Sequence, residues 1–229
     1  MTFDNQNKHW SLLDSILATI SIVLSSLFLN NIFLISASPN IFSKIFQELH
    51  FPILILIFTW VFSIKKYRIP LKFLGIQKTE KKFILFSVLI VIINLLFTGS
   101  YNLILNSISI DFNEINYPNS SITEKYLYLT LIAKIAFAPF AEEIFFRGFV
   151  LVSIKKHLNT LNSIMITSVV FALFHFNYYN ESKLLLFMPV FFFSSMLFSF
   201  VYIKSKSIWP SFISHSSYNS ISLIFRLIK

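Results

Sequence analysis

The chain has 229 residues, of which 55% are hydrophobic, 18% aromatic and only 13% charged. That composition excludes an ordinary soluble domain, and several runs approach or exceed the roughly 18 apolar residues that span a bilayer as a helix. The net charge of +9 does not point to nucleic acid, because the basic residues fall in short clusters between apolar runs, as the flanks of membrane spans do. No cysteine is present, which rules out disulfides, thiolate nucleophiles and cysteine metal sites.

Backbone in lipid must satisfy its own hydrogen bonds, so the predicted class is all-α, a polytopic transmembrane bundle of seven to eight helices forming one integral membrane domain over 1–229. In chain order the predicted spans are 11–36, 46–64, 83–104, 126–155, 160–177, 183–203 and 208–228. The first run exceeds a signal-peptide core of about 7–15 residues and is expected to be retained. Trp10 and Trp209 are expected as interfacial anchors, and Asp14 lies near enough to a span end to reach headgroups. His9, His50 and His157 fall near span ends and read as interface residues without chemistry.

The segment between spans two and three holds Lys65, Lys66, Arg68, Lys72, Lys78, Lys81 and Lys82 against Glu80, which makes it cytoplasmic by the positive-inside rule. Alternation then places the N-terminus, the Lys155-Lys156 turn and the Lys204/Lys206 turn inside, with the 105–125 and 178–182 connections outside. Arg226 and Lys229, at a C-terminus expected outside, run against that scheme. Asn119-Ser120-Ser121 in the outer loop fits a glycosylation acceptor pattern. The expected location is a cell membrane, multi-pass, and the Asn-, Ile-, Lys- and Phe-rich composition points to an AT-rich bacterial source.

Span four carries two adjacent glutamates, Glu142 and Glu143. A carboxylate at membrane depth costs about 2.5–3.5 kcal/mol on insertion scales, so a pair demands partners or a task. Glu143 and Arg147 are spaced for an intrahelical ion pair, while Glu142 points about 100° away on an ideal helix. Pro139, one turn earlier, removes a backbone hydrogen bond and opens space beside the carboxylates. Spans five and seven contribute His175, and His215 with Asn219 at helical spacing, and Phe171 is placed to pack on the His175 ring. At about 1.5 Å of rise per residue, Glu142, His175 and Asn219 each stand roughly 20 Å above the basic inner turns. Three helices are therefore expected to bring polar groups to one level.

A carboxylate and an imidazole together can deprotonate water, and a second imidazole with a carboxamide can donate to an oxyanion. That set suits hydrolysis of an amide bond at the membrane. Two histidines and a glutamate also form a known zinc set, but no histidine stands four residues from a glutamate on one helix, which ranks zinc below metal-free chemistry. Two further classes stay open: a catalytically idle scaffold that regulates a partner, and a proton-coupled transporter with Glu142 and His175 as relay. The chain shows no internal repeat of the kind many transporters carry.

Three motifs occur in order: Glu142-Glu143-Ile144-Phe145-Phe146-Arg147-Gly148, Phe171-Ala-Leu-Phe-His175 and His215-Ser-Ser-Tyr-Asn219. Together they resemble the CPBP family of intramembrane proteases, which includes type II CAAX prenyl endopeptidases and bacteriocin-processing or self-immunity proteins. The resemblance covers residues 139–219, marked as the catalytic core, and is generic before it, where Leu71-Lys-Phe-Leu-Gly-Ile76 is the nearest match. It implies a membrane endopeptidase in which Glu142 and His175 activate water, His215 and Asn219 stabilise the oxyanion, and Glu143 and Arg147 shape the site. The implied partners are a peptide or protein substrate and the lipid bilayer; the family is often called one of metalloproteases and its metal dependence is disputed, while the residues of this chain point to no nucleic acid and no metal or other cofactor, with zinc the lesser alternative. Prenylated CAAX peptides are the eukaryotic task of the family. A leader, pheromone or bacteriocin peptide, or self-immunity without catalysis, is the expectation in a bacterium. Span six has Ser194-Ser195 where relatives often have glycine, and serine is also small enough for close helix packing.

Overall fold

The computed structural model describes residues 9–36, 41–108, 127–175 and 181–227. The 105–125 loop beyond Ile108, its glycosylation pattern, the 178–182 turn as far as Asn180 and Lys229 lie outside them. The described residues form seven helical stretches and no strand. These are α1 (Leu12–Ser36), α2 (Ile41–Lys65), α3 (Lys81–Ser107), α4 (127–154), α5 (Thr160–Phe174), α6 (Glu181–Ser205) and α7 (Ile208–Leu227). Among the described residues four segments are long and apolar enough to cross a membrane, in α1, α2, α3 and α6. α5 is apolar but shorter, at 15 residues.

The second span begins five residues earlier than the apolar pattern predicts, at Ile41 rather than 46. The reason is local: Lys44 and Glu48 pair at 2.8 Å on one helix face, so neither charge ends the helix. α4 departs from a uniform α-helix. It widens into π-helical turns at Ala133–Phe137 and again at Glu143–Leu151, on either side of the segment Ala138–Glu142 that contains Pro139. A proline interrupts the regular hydrogen-bond ladder and crowds the preceding turn, and a wider turn ahead of it relieves both.

The chain divides into two compact units that interleave in sequence. The first contains α1, α2, α4 and a short 3₁₀ turn at Leu71–Leu74. Within it α2 packs on α1 and α4. The start of α1 is fastened to the end of α4 by contacts of Trp10 and Ser15, and Asp14 is held by the segment after α2. Trp10 is buried, stacks obliquely on Phe149 and donates its indole N–H to the Phe149 carbonyl at 3.0 Å. Ser15 donates to Ser153 at 2.7 Å, and the Lys156 ammonium donates to the Trp10 carbonyl. The Asp14 carboxylate is buried and accepts from Lys66 and Tyr67, both at 2.6 Å, and from Ser11. That bond raises the Lys66 pKa, and burial followed by the same carboxylate raises that of the Tyr67 phenol. Phe149 O also accepts the Val152 backbone N–H, so Trp10→Phe orphans no acceptor, but it loses the indole bond and leaves a cavity in place of part of a fully buried ring, and should cost about 1–3 kcal/mol. Its melting midpoint in detergent should fall by about 2–10 °C.

The second unit contains α3, α5, α6 and α7, with α6 packed on each of the other three and α7 on α3. Its contact surfaces are rich in serine. Ser87, Ser163, Ser194, Ser195, Ser199, Ser211 and Ser214 are all buried. Small side chains let the helices approach, and most of these hydroxyls donate to a carbonyl one turn back, as Ser194 does to Val190 at 2.8 Å and Ser214 to Pro210 at 2.9 Å. The seam also has cross-helix contacts: Ser87 with the Pro210 carbonyl at 2.9 Å, the Ser194 hydroxyl oxygen 2.9 Å from the Asn94 side-chain amide, and Tyr218 with Thr98 at 2.9 Å. Thr98 gives its proton to the Asn94 carbonyl at 2.9 Å, so Tyr218 is the donor to Thr98. Asn94 thus serves the packing of α3 on α6, and Ser194 combines a small side chain with a polar contact.

Candidate active site

The first motif lies on α4 in the first unit. Glu143 begins the second π-helical stretch, and every residue from Glu143 to Leu151 is buried. Arg147 donates to Glu143 at 2.9 Å, with both side chains fully buried. The spacing in sequence predicts this pair, although on a π-helix rather than an α-helix. Burial of both charges is tolerated because the pair replaces lost hydration with a direct ionic hydrogen bond. Phe146 adds its ring beneath the guanidinium, 5.9 Å from centroid to carbon. Glu142, by contrast, is only half-buried and stands at the junction of α- and π-helical turns.

Gly148 closes the motif, and its reason is steric. A Cβ there would fall on the Leu74 carbonyl oxygen and stand 3.0 Å from the carbonyl carbon. Leu74 ends the 3₁₀ turn Leu71–Leu74, which starts after Pro70 and is closed by Gly75 in the left-handed conformation at φ 80°. The generic-looking Leu71-Lys-Phe-Leu-Gly-Ile76 stretch therefore supplies the backbone against which the motif-one helix rests. Sequence reasoning noticed this stretch without finding its use. Its signal was the Pro70 and Gly75 punctuation around a short apolar turn.

The second and third motifs lie in the second unit. His175 follows the last residue of α5, where its Nδ1 lies 2.9 Å from the Phe171 carbonyl. A carbonyl only accepts, so the neutral ring carries its proton on Nδ1 and presents a lone pair at Nε2. The ring is held between Phe171 at 4.6 Å and Phe191 at 4.2 Å, the latter nearly parallel. His215 on α7 is buried, stacked on Phe198 at 4.9 Å and edge-on to Phe171 at 5.9 Å. One buried phenyl ring, Phe171, thus touches both motif histidines. The predicted packing of Phe171 on His175 is present, and its second contact, with His215, is new. Phe191 and Phe198 on α6 complete the cradle, and no motif marked them.

Asn219 is half-buried, one helical turn beyond His215 on α7. The neighbouring Tyr218, bonded to Thr98, fixes the rotation of α7 about its axis. Among the described residues no three His, Asp or Glu side chains gather as a ligand set for a metal ion. His9 packs on Phe73 at 4.5 Å, and His50 bonds the Phe46 carbonyl at 2.7 Å.

Residues 124–221 match the family model described as type II CAAX prenyl endopeptidase, Rce1-like. No curated protein and no solved structure matches the chain. The family is one of proteases, whose substrates are peptides or proteins. All three motifs fall inside the matched segment, and over residues 124–221 the chain is Rce1-like, in keeping with the CPBP resemblance of its sequence.

Proposed function

We propose that the chain is a multi-pass endopeptidase of a bacterial cytoplasmic membrane that hydrolyses a peptide bond in a membrane-associated peptide or protein. The observation that carries this reading is the family match over 124–221, which contains Glu142, Glu143, Arg147, His175, His215 and Asn219. Geometry within each unit supports a division of labour. Glu143 is fully buried in its ion pair with Arg147, and the half-buried Glu142 is the more accessible carboxylate and the one assigned to the chemistry. His175 has Nδ1 turned to a carbonyl, which leaves Nε2 as a base.

In this mechanism Glu142 and His175 take a proton from water as its oxygen adds to the scissile carbonyl carbon. The carbonyl oxygen becomes an oxyanion and accepts hydrogen bonds from the Asn219 amide and the His215 ring. The abstracted proton passes to the leaving nitrogen as the carbon–nitrogen bond breaks, which yields a carboxylic acid and an amine. Residues 139–219 form the catalytic core.

The test is cleavage of a peptide panel by purified, detergent-solubilised protein, with and without chelator. Glu142→Gln should lower the rate on the order of 10²–10⁴-fold with an unchanged melting midpoint, and chelator should have no effect. Activity lost to chelator and restored by zinc would move Glu142 and the histidines to ligand roles. Full cleavage by the variant would overturn the assignment of Glu142, and no cleavage by wild type across the panel would favour an idle scaffold or self-immunity protein.

A further inference from the structure

We propose that residues 65–78 form a docking shelf for anionic lipid headgroups on the first unit. α2 carries an exposed apolar stripe, Ile53, Ile57 and Trp60, on one helical face. Immediately after it the Lys65 ammonium lies 5.5 Å from the Trp60 ring centroid. An indole capped by a snorkelling lysine marks the level at which hydrocarbon gives way to headgroups. Arg68, in the left-handed region at φ 53°, then turns the chain out of the helix.

Beyond that turn the segment has an inner and an outer side. Ile69 and Leu74 are buried, Phe73 packs edge-on against His9, and the Leu74 backbone faces Gly148. Lys65, Arg68, Lys72 and Lys78 are exposed, and Leu71 stands among them 53% exposed. Residues 61–78 contain no Asp or Glu. Lys66 is the member of this basic run committed to a carboxylate, that of Asp14. An exposed leucine among cations, fixed from behind at headgroup level, fits an acyl-chain boundary with phosphates above it. The sequence reads these charges only as a topology signal; the fold arranges them as a surface. This holds whether or not the chain is a protease.

The test is native mass spectrometry of the full chain released from mixed micelles of detergent with equal phosphatidylglycerol and phosphatidylcholine. Wild type should retain phosphatidylglycerol in preference. Each cation near an anionic surface contributes about fivefold, so Lys65→Gln/Arg68→Gln/Lys72→Gln should cut the preference on the order of a hundredfold. All three side chains are exposed, so the variant should keep the wild-type melting midpoint. Lys204→Gln/Lys206→Gln, in the second unit, should leave the preference intact. An unchanged preference in the triple variant, or equal loss in the control, overturns the shelf. Displacement of the lipid by glycerol phosphate at equal concentration would assign the site to free phosphate and overturn the lipid assignment.

Discussion

Arg147→Met should lower the melting midpoint of the detergent-solubilised protein by about 10 °C, corresponding to about 3–5 kcal/mol of lost stability. The substitution keeps most of the side-chain volume but leaves the Glu143 carboxylate, fully buried, without the guanidinium now 2.9 Å away. Glu143→Leu should also be damaging, since the buried cation loses its 2.9 Å ionic hydrogen bond and keeps only the weaker attraction of Glu142. The double variant Glu143→Leu/Arg147→Met should recover most of the loss, because an apolar pair of similar volume avoids the desolvation that the ion pair must overcome. Thermal melts of the four proteins give the coupling directly. Equal and additive losses in the two single variants would mean that the pair is not what holds α4. The cycle also isolates the pair from catalysis: a double variant that is stable and cleaves peptide would show that Glu143 and Arg147 act by shaping the helix.

What was legible in the sequence was local. The apolar runs place the seven helical stretches, with boundaries shifted by a few residues where a charge pair such as Lys44 with Glu48 continues a helix. Glu143 with Arg147, and Phe171 with His175, were readable because four-residue spacing fixes neighbours on a helix whatever the tertiary fold. Contacts distant in sequence left no such signature. Trp10 and Asp14 sit where interfacial residues belong, and only the fold shows their bonds to Phe149, Lys66 and Tyr67. The aromatic cradle of His215 depends on Phe198, which is indistinguishable by composition from the other phenylalanines among 29. The π-helical widening of α4 was half-visible, since Pro139 predicted a disturbance but not its form.

Gly148→Ala should destabilise the protein by about 1–3 kcal/mol, although alanine is the better helix former by about 1 kcal/mol. Propensity and packing oppose each other here, and packing wins because the added methyl meets backbone. Its nearest neighbours are the carbonyl oxygen, carbonyl carbon and Cα of Leu74, none of which a rotamer change can move. The 3₁₀ turn itself is pinned by Pro70 ahead and by the left-handed Gly75 behind, so it cannot shift as a flexible loop would. Leu74→Ala should therefore give no rescue: the combined variant should melt below either single one, because it adds a cavity where the buried Leu74 side chain stood. Rescue by Leu74→Ala would mean that side chains, not backbones, form the contact. Gly99 provides the control. It lies in α3, and a Cβ there meets nothing within 4 Å, so Gly99→Ala should stabilise by up to about 1 kcal/mol. Opposite signs for the same substitution on two helices would establish that the motif-one glycine is required by the close approach of the Leu71–Leu74 turn.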